Sequence, residues 1–305
     1  MNLKNWIFAT RLYTLPLSIY GISLSFFLST HSIMEMYKCL KTYVFSILTA
    51  LSLQILANFS NDYGDSIKLI FHDNEMSMKK KFVYEGIISS KQMKKAIFIL
   101  FILSFILGFI LIYPILYENI IIFFTYLIGL IFCILSAIKY SCGNNPYGWK
   151  WGMGDLSVFL FFGIFSVLGS FFLYNRLVPS FQVILLSISM GFLNTAILNI
   201  NNMRDLYEDS INRKETIVVR FGLNFAKWYH FVMILNAILL GFLFISMKNN
   251  IYQLFSLSIV SVLLIMHCRN IMLINNNKFL LHLELKKLVF LIFLYVLSIG
   301  MQNYL

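Results

Sequence analysis

The chain has 305 residues, of which 59% are hydrophobic, 17% aromatic and only 12% charged, with a mean hydropathy of +0.79, more apolar surface than a water-soluble fold of this size can bury. A soluble enzyme is excluded, and so are a disordered chain, a collagen and a disulfide scaffold, because Gly (15), Pro (4) and Cys (4) are scarce. The formal charge of +11 is read as the basic loops of a polytopic membrane protein, not as a nucleic-acid surface.

Apolar runs of about twenty residues predict nine spanning helices in an all-α bundle, a single domain over residues 1–305. In chain order they cover Leu12–Thr30, Leu40–Phe59, Met93–Tyr113, Asn119–Ile138, Asp155–Tyr174, Ser180–Ile200, Phe225–Ser246, Ile251–His267 and Lys287–Asn303. The first follows Lys4 and Arg11 without a small-residue cleavage site and reads as a retained helix. Sorting basic residues into alternate loops puts 20 of the 24 on the N-terminal side, leaving Lys38, Lys41, Arg176 and Lys248 opposite. The N-terminus is therefore expected on the cytoplasmic side. Two long polar loops, Ser60–Gln92 and Asn201–Asn224, lie on the cytoplasmic side, while the opposite connections are mostly short, so function is sought there. Three of the four cysteines lie toward the reducing side and no disulfide is expected. His31, His72, His230, His267 and His282 show no paired metal spacing and read as structural or interfacial.

Acidic residues number only 13, yet several collect at the ends of the second and sixth spans. The first cluster runs Asn58-Phe-Ser-Asn61-Asp62-Tyr-Gly-Asp65, the second Asn199-Ile-Asn201-Asn202-Met-Arg204-Asp205-Leu-Tyr-Glu208-Asp209. Both contain Asn-[Asp/Asn]-x-x-Asp, a weak internal repeat. On a continuing helix, Asn61, Asp62 and Asp65 share one face, as do Asn202, Asp205 and Asp209. Paired hard oxygen donors suit Mg²⁺ between carboxylates and substrate phosphates, and membrane-end carboxylates point to function. Lys79, Lys80 and Lys81 follow the first cluster and Arg213, Lys214 and Arg220 the second. With Arg204, these groups offer charge-assisted contacts to phosphate oxygens.

These residues resemble the UbiA superfamily of intramembrane prenyltransferases, within it the menaquinone-pathway branch. The resemblance is carried by Thr14-Leu-Pro-Leu17 after Arg11, Leu53–Asn58 running into Asn61–Asp65, Asn145-Pro-Tyr-Gly148, Gly154–Gly163, and Thr195–Asp205 through Val218–Gly222. It implies a nine-helix bundle in a bacterial inner membrane, open laterally to the lipid bilayer and carrying a cytoplasmic polar cap, with a metal-bound diphosphate between the clusters. It also implies transfer of a polyprenyl group from polyprenyl diphosphate to 1,4-dihydroxy-2-naphthoate, with loss of CO₂ and diphosphate. Asn61, Asp62 and Asp65 take the first-motif roles, and Asn202, Asp205 and Asp209 the second. Asp73 sits off the family spacing for a further acid, and Met76–Lys81 replaces an Arg-containing Gly-Pro segment, so Lys79 or Lys81 stands in for a phosphate-binding arginine. Tyr140, with Tyr147, is a candidate to face the allylic cation, and Arg11 or Lys150 to orient the acceptor carboxylate. Two other readings stay open here, a relative using another aromatic acceptor and a secondary transporter. The transporter expects charge at the bilayer midplane, where these spans carry almost none.

Overall fold

The computed structural model describes residues 3–30, 32–70, 87–275 and 277–300, and all regular structure among them is helical. The helices are α1 (Leu3–Ala9), α2 (Leu15–Ser29), α3 (Ile33–Ile70), α4 (Ser90–Leu116), α5 (Ile120–Lys139), α6 (Met153–Val158), α7 (Ser170–Asn175), α8 (Phe181–Arg204), α9 (Leu206–Ile211), α10 (Ile217–Ser246), α11 (Ile251–Leu273) and α12 (Lys278–Gly300). A wide π-helical stretch, Phe159–Gly169, joins α6 to α7 into one rod.

Eight rods among the described residues are long and apolar enough to cross a bilayer. The ninth expected span, Lys287–Asn303, falls on α12, which has similar length but carries Lys278, Glu284, Lys286 and Lys287 in its first half. Composition alone therefore does not qualify it, although Leu285, Leu288, Ile292 and Tyr295 of α12 are buried in the main core.

Backbone groups in lipid must be satisfied within the chain, and the helix starts show how this is met. Ser89 and Gln92 form a reciprocal capping box on α4. Asn119, Thr216 and Asn250 cap α5, α10 and α11 with side-chain oxygens, and Asn277 accepts from Phe279 and Leu280 at the start of α12.

The main core gathers around α8, against α2, α10, α12 and the π stretch. Gly163 and Gly191 let the π stretch and α8 meet backbone to backbone, since a Cβ on Gly163 would lie 2.4 Å from the Gly191 Cα. A smaller core joins α3, α4 and α5 through Leu56, Leu111, Leu130 and Ile134. A third binds α1 to the lower part of α3 and the start of α4 through Ala9, Phe59, Ile88 and Met93.

Two histidines read separately in the sequence are paired in space. His230 and His267 bring their Nε2 atoms within 3.1 Å. His267 Nδ1 lies 2.5 Å from Glu284 Oε2, and Asn270 donates to Glu284 Oε1 at 3.0 Å, so this polar chain ties α10, α11 and α12. All four cysteines are free.

Candidate active site

At 38 residues and about 1.5 Å per residue, α3 is roughly 57 Å long, well beyond the ~30 Å hydrocarbon thickness. Its last turns carry Asn61, Asp62 and Asp65 on a continuous helix. Arg11 sits opposite them in the link between α1 and α2, in a left-handed conformation (φ 52°) rare for a side-chain-bearing residue. Its guanidinium Nη2 lies 2.5 Å from Asp62 Oδ1. With the Asn61 amide oxygen turned toward Arg11, that oxygen accepts from both terminal guanidinium nitrogens at 2.9 and 3.1 Å, and the amide nitrogen donates to Ser141 Oγ at 2.8 Å. Asn58 Nδ2 donates to the Thr10 carbonyl at 2.8 Å and to Thr14 Oγ1 at 3.3 Å, fastening the same link to α3. Between the two aspartates, Gly64 admits the loop after α5: a Cβ there would stand 2.2 Å from the Ser141 carbonyl oxygen.

The second cluster is built differently. Helix α8 ends at Arg204, Asp205 takes a non-helical conformation (φ −98°, ψ 8°), and α9 restarts at Leu206. The 202–209 segment is therefore broken where the sequence suggested one face. Short polar residues adopt such junctions readily because their side chains compete with the backbone for hydrogen bonds. Arg204 grips Asp205 with two parallel bonds, Nε to Oδ1 and Nη2 to Oδ2, both 3.0 Å. Lys214 Nζ lies 3.3 Å from Asp209 Oδ2, and its backbone N–H donates to the Asp209 carbonyl. Burial alone would lower the Lys214 pKa, but Asp209 and neighbouring carboxylates outweigh it and hold the ammonium charged above its ordinary value. Glu208, which the sequence reading left without a role, is buried and paired with Lys278 at the start of α12.

Both clusters open onto one cavity of about 1180 Å³. Its polar mouth is lined by Asp62, Asp65, Asp205, Glu208 and Asp209 against Arg11, Arg204, Lys214 and Lys278, five carboxylates and four cations. Its far end is apolar, walled by Ile22, Leu111, Leu130, Phe162, Leu168 and Leu173. A diphosphate arriving alone would be repelled by a net-negative mouth, and a divalent cation would supply the missing charge. The donors suit such an ion. They are hard oxygens, and the buried Asn201 Oδ1 and Glu208 Oε2 at the mouth have no partner among the described residues. Mg²⁺ takes one or two carboxylates and completes its shell with phosphate and water.

The mouth thus brings together Asn61, Asp62, Asp65, Asn202, Arg204, Asp205, Asp209, Lys214, Arg11 and Tyr140. Tyr140 stands edge-on to Tyr147 at 5.4 Å, and burial, with Asp155, Asp209 and Asp65 nearby, raises its phenol pKa despite Lys214. Other expected residues stand apart. The Arg220 guanidinium lies over the Trp151 ring at 4.8 Å and, like the exposed Arg213 and Lys150, does not line the cavity. Lys79, Lys80, Lys81 and Asp73 lie outside the described residues. Lys278 was missed because no local motif surrounds it; only the basic start of a helix after Asn277 marked it.

Known proteins resemble this chain in sequence and fold. The UbiA prenyltransferase family model matches residues 15–279. A 1,4-dihydroxy-2-naphthoate octaprenyltransferase of Haemophilus influenzae is 34% identical over 233 residues, 76% of this chain and 74% of that protein. The enzyme of the same name from Escherichia coli is 36% identical over 213 residues, 70% and 66% of the two chains. A UbiA homolog from Archaeoglobus fulgidus, solved bound to GPP and Mg²⁺, superposes with a TM-score of 0.64 at 13% identity, covering 98% of this chain and 99% of that one. A digeranylgeranylglyceryl phosphate synthase structure gives a TM-score of 0.61 at 18% identity, covering 99% and 98%.

Proposed function

Because the chain belongs to the UbiA prenyltransferase family, we propose that it transfers a polyprenyl group from polyprenyl diphosphate to 1,4-dihydroxy-2-naphthoate, releasing diphosphate and CO₂ and giving demethylmenaquinol. The observation that carries this reading is the single cavity with a charged mouth and an apolar interior, the shape of a molecule with a diphosphate head and an isoprenoid tail. The names of the bacterial relatives favour the naphthoate over other aromatic acceptors, and family membership leaves the transporter reading without support.

Asp62, Asp65, Asp205 and Asp209, with Asn61 and Asn202, are the groups that would hold Mg²⁺. When bound, the ion neutralises charge on the leaving diphosphate, so the allylic C–O bond breaks with its electron pair on oxygen. Arg204 and Lys214 meet phosphate oxygens from the second cluster. The apolar wall excludes water from the allylic cation, and the Tyr140 ring presents its negative face to it. Arg11 reaches from the α1–α2 link to the acceptor carboxylate, aiming the ring carbon that bears it at the cation. As the new C–C bond forms there, departure of CO₂ returns an electron pair to the ring.

The reading includes a single domain over residues 1–305, nine spans with α12 as the last, an inner-membrane location and a cytoplasmic N-terminus and mouth. Purified protein given Mg²⁺, a polyprenyl diphosphate and 1,4-dihydroxy-2-naphthoate should release CO₂ and yield prenylated product. No product with the naphthoate overturns the function; full activity in EDTA overturns the metal-dependent mechanism. Single cysteines placed at Glu215 or Asn212 should react with an impermeant maleimide only from the cytoplasmic side; labelling from outside inverts the orientation.

A further inference from the structure

The pair formed by Lys278 and Glu208 lines the mouth, yet no step of the reaction assigned above uses it. Glu208 is 4% exposed. One carboxylate oxygen meets the Lys278 ammonium, while Oε2, also buried, has no partner among the described residues. A buried bridge built for stability satisfies its remaining lone pairs, because desolvation otherwise consumes the Coulombic gain. This pair does not. Its cation is also the accessible partner, the Lys278 side chain being 46% exposed against 5% for Glu208. Both line the same cavity mouth as Asp205, Asp209 and Lys214. Lysine, a compact charge on a flexible stem, can change partners without the planar geometry that binds Arg204 to Asp205.

We propose that Lys278 is a diphosphate-binding residue held in place by Glu208, and that donor binding exchanges the partners of this pair. The ammonium moves to a phosphate oxygen, and the Glu208 carboxylate, with its second oxygen already free of protein partners, turns to the accompanying divalent cation. No covalent bond changes and no proton is transferred. The proposal rests on the prenyl-transfer reading above, and it adds a phosphate contact from the α12 end of the chain, far in sequence from both acidic clusters.

The test compares Lys278→Met, Lys278→Arg and Glu208→Gln in the full-length enzyme, measuring both substrate KM values, the Mg²⁺ half-saturation, thermal unfolding, and calorimetric binding of inorganic pyrophosphate with Mg²⁺. Charge-assisted contacts of this kind correspond to about a ten-fold change. Lys278→Met should raise the polyprenyl-diphosphate KM and weaken pyrophosphate binding about ten-fold, with the naphthoate KM unchanged, and Lys278→Arg should restore most of both. Glu208→Gln should instead raise the Mg²⁺ half-saturation while leaving the donor KM, at saturating Mg²⁺, at or below its original value. A mere tie between α9 and α12 predicts that Lys278→Met and Glu208→Gln lower the unfolding temperature alike and move both substrate KM values together; that result overturns the proposal, as does an unaltered pyrophosphate affinity in Lys278→Met. Absence of naphthoate prenylation by the unsubstituted enzyme counts against the function alone, since weakened pyrophosphate binding by Lys278→Met supports the Lys278 contact whichever acceptor is used.

Discussion

The two acidic clusters read alike in the sequence but stand on different scaffolds. The first occupies one face of an unbroken helix, α3, and is braced from outside by Arg11 on Asp62, by Ser141 on Asn61 and by the loop that Gly64 admits. The second straddles the junction between α8 and α9, and its braces come from within or just beyond the segment, Arg204 on Asp205 and Lys214 on Asp209. A repeated motif thus need not imply a repeated backbone. Where the helix continues, side-chain geometry follows from the 3.6-residue period; where it breaks, local ion pairs set it.

The largest effect should come from neutralising either scaffold's carboxylates. Asp62→Asn and Asp205→Asn, made separately, should each lower kcat by roughly 100-fold or more, as loss of a charge-stabilising group at a reacting centre does, without preventing membrane insertion. If one variant keeps near-normal turnover in a Mg²⁺ titration, the site rests on a single cluster and the comparison fails.

A smaller and asymmetric effect separates the scaffolds themselves. Gly64→Ala places a Cβ 2.2 Å from a carbonyl oxygen, so backbone must move; overpacking of this kind costs about 1–3 kcal/mol. Its unfolding temperature in detergent should fall, and donor turnover with it. Tyr207→Ala, at an exposed position in the second cluster, should change neither by more than about 0.5 kcal/mol equivalent. Equal losses would mean that the second scaffold is as tightly enclosed as the first.

The smallest effect concerns Cys142, whose Sγ donates to the Ser60 carbonyl beside the first cluster. Burial, reinforced by the Asp65 charge, pushes its thiol up to about 11. The sign is that of a raised acid: the neutral thiol persists through pH 8, and thiolate reactivity appears only as pH climbs toward that value. In a variant retaining only this cysteine, alkylation should be slow at pH 8 and rise steeply above pH 10. Rapid labelling at pH 8 would show that the loop around the first scaffold is open.

Hydrophobic runs made most of the helices legible, because each must fill a bilayer. Their ends were less so: α3 outruns its apolar segment by carrying a polar face that the cavity solvates, and α12 begins at Lys278, ahead of the expected start at Lys287, because its first turns are charged. The first cluster could be read from periodicity alone. The break at Asp205 could not, since no proline or glycine marks it, and neither could the left-handed turn that aims Arg11. Lys278 was illegible for a different reason: its partner lies 70 residues earlier in the chain, a separation over which local sequence carries no information.

That separation also bears on the order in which the protein is made. Both acidic clusters leave the ribosome well before Lys278, so for the time needed to synthesise 70 further residues Glu208 exists without the lysine that neutralises it. At a typical ~5–20 residues per second this is an interval of several seconds. Over that interval Glu208 lacks its cationic partner, so the charged rim is incomplete until the start of α12 has arrived. A ribosome stalled before residue 278 would hold a chain containing both acidic clusters but no finished rim.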